Sequence, residues 1–158
     1  MSSQVLSEQS LSVQAFGALL RAHANITRQL SAQLTADHGL TVADYGVLLH
    51  LAWAPGRRMR RVDLADQVLL TASGITRLLD GLERGGLVER GSCETDRRVV
   101  YAVLTDAGMD KLREASETHV PQVEAFLNAR FDEHELAGLR ASLGRLAEVE
   151  AVDCGPPE

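Results

Sequence analysis

The stretch that most constrains this chain lies at its middle, where the apolar period changes across Gly85-Gly86 from about 3.6 residues to about 2. Before the glycines, Ile75, Leu78, Leu79 and Leu82 fall at i, i+3, i+4 and i+7, the buried stripe of a helix that Thr71 is placed to cap. A shorter helical segment, Val62 to Val68, precedes it across a Leu69-Leu70 turn. After the glycines, Leu87 to Ser92 and Val99 to Leu104 are short, and the second is β-branched, so both read as strands. Their link, Cys93 to Arg98, is polar and carries arginines. Two helices joined by a tight turn, followed at once by a basic-tipped hairpin, describe a winged helix-turn-helix.

The flanks read as helices. Phe16, Leu19, Leu20, His23, Ile26, Thr27, Leu30 and Leu34 recur at helical spacing up to Asp37-His38-Gly39, where Gly39 suits a left-handed terminus. Thr41 to Asp44 forms a capping-box pattern with Asp in place of Glu, opening a helix to about Trp53 that Ala54-Pro55-Gly56 breaks. Thr105-Asp106 caps a long helix with Leu112, Ala115, Ser116, His119, Val123, Phe126 and Leu127 on one face, and Pro121 should kink or split it. Asp132 to Glu135 starts a last helix with Leu136, Leu139, Leu143 and Leu146 on its inner side. The expected fold is therefore mainly α with a small β-hairpin wing. Residues 1–39 form an N-terminal dimerisation helix and 40–104 the winged DNA-binding domain. Residues 105–152 form C-terminal dimerisation helices, and 153–158 a disordered tail. The terminal stripes exceed what one small domain covers, so a two-fold dimer is expected.

Composition bounds the partners. The chain has 158 residues, 45% of them hydrophobic and 24% charged, with two cysteines, Cys93 and Cys154. No apolar run is long enough for a membrane helix, the start lacks a signal-peptide pattern, and two cysteines suit a reducing compartment. A cytoplasmic location is expected. The net charge of −6 is unevenly placed: between Arg57 and Arg98 stand nine arginines against seven carboxylates. A basic middle between acidic ends binds a polyanion locally.

The blocks Leu64-Ala65, Thr71 to Asp80, Leu82-Glu83, Gly86 to Arg90, Asp96 to Arg98 and Leu104 to Gly108 together resemble the MarR family of bacterial transcriptional regulators. The resemblance is strong over about residues 40 to 112. It implies a homodimer that binds a palindromic operator in double-stranded DNA as a repressor, released by a small aromatic or anionic lipophilic ligand.

With Ile75 inward, Ser73, Arg77, Asp80 and Arg84 point away from the core, as a recognition helix requires. Arg77 has the reach and geometry for guanine N7 and O6. Ser73 and Thr76 suit bases or phosphates, Thr71 with the helix N-terminus suits a phosphate, and Gly74 permits close approach. Asp80 is assigned to orienting Arg77 or Arg84, or to accepting from cytosine. A solvated ion-pair ridge is the plain alternative for an isolated helix, but the wing beside it favours DNA. The resemblance places the minor-groove side chain on Arg98, with Asp96 bracing the tip and Arg97 near phosphates. Gly81 departs from the family, which often carries a basic residue there. Arg57, Arg58, Arg60 and Arg61 form a basic cluster that reads equally as a phosphate clamp, chiefly Arg60 and Arg61, or as a solvated loop.

The resemblance implies an effector site between the dimerisation helices and the winged domain, where this sequence offers Arg21, His23, Tyr45, His50 and Trp53. The competing reading makes Tyr45 and Trp53 core residues and His23 a satisfied buried histidine. Two other functions stay open: a redox-responsive regulator acting through Cys93, and a winged module that binds protein rather than DNA. No cofactor or metal is expected, because His119 and His134 lack a compact ligand spacing. No enzyme motif is present: there is no phosphate-binding glycine loop, nucleophile elbow or zinc-protease helix.

Overall fold

The computed structural model describes residues 10–68, 70–92 and 98–147. The first helix, α1 (Leu11–His38), starts where the Ser10 hydroxyl accepts from the Val13 N–H and ends at Gly39, whose φ of 69° is left-handed. The helix α2 (Val42–Trp53) opens on a reciprocal capping box: Asp44 N–H donates to Thr41 Oγ1 at 3.1 Å, and Thr41 N–H to Asp44 Oδ2 at 2.8 Å. A 3₁₀ turn at Pro55–Arg57 then leads into a strand, β1 (Arg58–Arg60). This strand corrects the solvated-loop reading of Arg58 and Arg60. Three residues are too few to show alternation, and the pairing that makes them a strand comes from a segment more than forty residues on.

The helix-turn-helix follows as α3 (Arg61–Gln67) and α4 (Ala72–Arg84), and the wing as β2 (Val88–Ser92) and β3 (Val100–Leu104). The antiparallel sheet has the order β1-β3-β2, with Arg60 opposite Tyr101 on one side of β3 and Arg90 opposite Ala102 on the other. Two C-terminal helices complete the chain, α5 (Asp106–Asn128) and α6 (Glu133–Ala147). Pro121 lies inside α5 without splitting it, so of the kink or split expected there the split is corrected to one continuous helix. Asp132 and Glu135 cap α6 reciprocally, at 2.8 and 2.9 Å, as the pattern predicts.

One core holds these elements together. Val47, Leu48 and Leu51 of α2 are fully buried, joined by Leu64 of α3, Ile75, Leu79 and Leu82 of α4, and Val88, Ala102 and Leu104 of the sheet. Leu34 of α1 and Leu112 and Ala115 of α5 enter the same cluster, so the flanking helices are seated on the winged unit by shared burial. The wing is pinned to α5 by Thr105. Its hydroxyl donates to the Gly86 carbonyl at 2.7 Å while accepting from Gly108 N–H at 2.9 Å.

The rest of the terminal apolar stripes is uncovered. Phe16, Leu19 and Leu20 of α1 and Leu139, Leu143 and Leu146 of α6 are exposed, Leu146 at 69%. Leu139, Leu143 and Leu146, read as the inner side of α6 with the half-buried Leu136, therefore face outward, because nothing else among the described residues covers them.

Candidate nucleic-acid interface

Helix α4 owes its orientation to Ile75, Leu79 and Leu82, whose burial turns the opposite face outward. The Thr71 side chain accepts from Gly74 N–H at 3.1 Å, so the cap forms as expected. Thr71 Oγ1 also lies 3.2 Å from Ser73 Oγ, which groups two hydroxyls at the helix N-terminus. Gly74 sits tightly beneath them: a Cβ there would lie 3.1 Å from Thr71 Oγ1. Thr76 is half-buried and its hydroxyl donates to the Ala72 carbonyl at 2.8 Å, leaving its lone pairs for any further partner. Ser73 and Arg77 are exposed, and Arg77 makes no ion pair among the described residues.

The assignment of Asp80 needs correction. Its carboxylate pairs with Arg90 on β2 at 2.6 Å, not with Arg77 or Arg84. Arg84 instead turns its Nε to the Asp80 backbone carbonyl at 3.2 Å. Arg90 also holds Glu83 at 2.7 Å, and the two carboxylates keep the guanidinium above its ordinary pKa. Sequence spacing did not reveal this, because an arginine seven and ten residues away shares a face with its partners only after the strand folds back.

The basic cluster is largely occupied within the chain. Arg60 forms two bonds with Asp63, at 2.6 and 2.8 Å, and Arg57 pairs with Asp106 at 3.0 Å. The Arg58 guanidinium lies over the Tyr101 ring at 4.1 Å. Arg61 makes no ion pair among the described residues; with Thr76, Asp80, Glu83, Arg90 and Tyr101 it lines a hollow of about 20 Å³. At the wing, Arg98 is exposed just before β3, whereas Asp96, Arg97 and Cys93 lie outside the described residues, as does the tail at 153–158.

The five effector candidates do not form one cluster. Arg21 and His23 are exposed on α1, so the buried reading of His23 is corrected. Tyr45 is core: its hydroxyl lies 2.9 Å from Ser116 Oγ, and its ring meets His119 edge-on at 4.7 Å. Trp53 is 49% exposed rather than core, with the half-buried His50 ring 6.3 Å away. Burial lowers the pKa of His50. A wider concavity lies elsewhere, an open groove of about 560 Å³ between α1 and α5. Gln29, Ala32, Gln33, Gln122, Ala125 and Phe126 line it; apart from Phe126, which the apolar face of the long helix includes, no sequence pattern singles these out, because amides and alanines carry no motif. Among the described residues no three metal-ligating side chains gather, and no helix is long and apolar enough to cross a membrane.

An amphipathic helix presented beside a winged three-stranded sheet is a geometry by which proteins enter the major groove, and known proteins share it. The MarR family model matches residues 38–99. The HTH-type transcriptional regulator MhqR of Bacillus subtilis is 27% identical over 128 residues, covering 81% of this chain and 85% of its own. The crystal structure of AbsC, a MarR family regulator from Streptomyces coelicolor, is 31% identical and superposes with a TM-score of 0.79, covering 89% of this chain and 95% of that one. A second MarR family regulator from the same organism, solved in complex with DNA, is 29% identical with a TM-score of 0.82, covering 89% and 88%. With the winged fold, the outward face of α4 and these likenesses together, the chain belongs to the MarR family of DNA-binding transcriptional regulators.

Proposed function

We propose that the protein is a homodimeric repressor of a palindromic operator. Ser73, Thr76 and Arg77 read the major groove, Thr71 and the N-terminus of α4 hold a phosphate, and Arg98 enters the minor groove with Asp96 and Arg97 at the tip. The observation that carries this reading is the contrast between Arg77 and its neighbours. Arg57, Arg58, Arg60 and Arg90 are committed to partners inside the chain, whereas Arg77 projects from the middle of the recognition helix without an ion pair among the described residues. Arg61 adds to phosphate attraction, while Arg60, already paired with Asp63, adds less. The uncovered leucines of α6 and the apolar start of α1 support pairing with a second copy. Such a dimer occludes the DNA it covers, which represses any promoter overlapping the operator.

Selecting a random-sequence duplex pool against the purified protein tests this. Enrichment of a two-fold symmetric sequence, bound more weakly as salt rises, is the expected result; no enriched sequence at low salt sinks the DNA reading in favour of a protein-binding wing. Release by a small aromatic or anionic lipophilic ligand rests on Trp53, half exposed beside His50. Phenols and aromatic carboxylates should lower the anisotropy of the bound duplex, and W53A should abolish that response. Cys93-based redox control predicts instead that peroxide releases the duplex and C93S does not respond.

A further inference from the structure

Arg90 ties the wing strand to the recognition helix through two carboxylates. Its Nε donates to both Glu83 carboxylate oxygens, at 2.7 and 3.0 Å, and its Nη2 donates to Asp80 Oδ1 at 2.6 Å. Asp80 and Glu83 lie three residues apart on α4, so they share one flank of the recognition helix. These are the only carboxylates on α4, and without Arg90 both would be borne uncompensated beside a polyanion. The network is exposed, so its contribution to folding is small. Its geometry is nonetheless well defined: the β2–β3 register holds Arg90 opposite Ala102, and a planar guanidinium serves two carboxylates at once, which one lysine ammonium does less well.

We propose that Arg90 is a positioning residue for DNA binding. It masks the negative charge of Asp80 and Glu83 on the recognition helix, without itself touching a phosphate. The inference rests on the DNA-binding reading above.

The test compares three variants with the parent on a duplex that the parent enriches from a random pool. R90Q should bind about tenfold more weakly, because two unmasked carboxylates then face phosphates. D80N/E83Q, which breaks the same ion pairs from the other side, should bind about threefold or more tightly. R90Q/D80N/E83Q should recover to within about threefold of the parent. A merely structural ion pair gives a different pattern, with D80N/E83Q weakened like R90Q, and that result overturns the proposal. A triple variant as weak as R90Q overturns it too, since Arg90 would then grip DNA directly. The D80N/E83Q comparison remains decisive even if R90Q alone unfolds, which thermal melts would reveal. If the parent enriches no duplex, the DNA reading itself falls and this proposal with it; if the parent binds and only the variant pattern fails, the DNA reading stands.

Discussion

Gly108 and His119 show how single positions carry consequences that their neighbours do not. A Cβ at Gly108 would overlap the Leu87 carbonyl oxygen and crowd the Leu104 side chain, because the first turn of α5 lies directly on the start of the wing. Backbone cannot yield as a side-chain tip does. G108A should therefore cost about 1–3 kcal/mol, read as a lower urea midpoint with unchanged slope. His119 is buried, its Nδ1 lacks a hydrogen-bond partner among the described residues, and its ring rests against Tyr45. Burial first, and the His38 ring second, lower its pKa from 6.5. His38, Glu114 and Tyr45 are the ionisable groups nearby, with His38 Nδ1 lying 3.5 Å from Glu114. The folded state thus binds fewer protons than the unfolded chain, so stability present above pH 6.5 is lost as pH falls below it. Half-buried His50 adds a slope of the same sign. H119L should flatten the dependence of melting temperature on pH between neutrality and mild acid; an unchanged slope would assign the effect to other groups.

At the level of elements, helices were far more legible than strands. The capping boxes at Thr41 and Asp132, the cap at Thr71 and the left-handed Gly39 are local chemistry, and each forms where the residues place it. The strand β1 and the Arg90 network were not legible, because each depends on a partner brought near only by folding. Trp53 defeated composition-based reasoning in a similar way: a large aromatic at the end of an apolar helix is ordinarily core, yet the chain turns away at Pro55 and leaves it half exposed. Helix α4 carries the clearest expectations. T71A removes the acceptor of the Gly74 N–H and should cost about 1 kcal/mol of stability by thermal melt. R77A should keep that stability while losing about 1–3 kcal/mol on the selected duplex, with a much smaller change on a scrambled one. Equal loss on both duplexes would reassign Arg77 to phosphate contact.

For the molecule as a whole, the buried core draws its residues from α1 to α5 and the sheet, and none from α6. The exposed leucines of α6 are therefore dispensable for folding the single chain but well placed for pairing two. L139E/L143E should sediment as a monomer and bind the palindromic duplex at least tenfold more weakly, as half the contacts are lost. Its near-ultraviolet circular dichroism should still report a packed core. A parent protein that already sediments as a monomer at micromolar concentration would refute the dimer.

The sequence by itself determined the helices, their caps and the winged order of elements, because periodicity, capping and glycine stops act within a few residues. It also placed Arg77 outward, since the apolar stripe of α4 leaves only one face for solvent. Only the tertiary structure decided which charges remain available. Tertiary folding assigns Arg57, Arg58 and Arg90 to internal partners, whereas Arg60 pairs locally with Asp63 three residues on. Charge pairing depends on distances of a few ångströms between residues remote in the chain, and no local pattern encodes them.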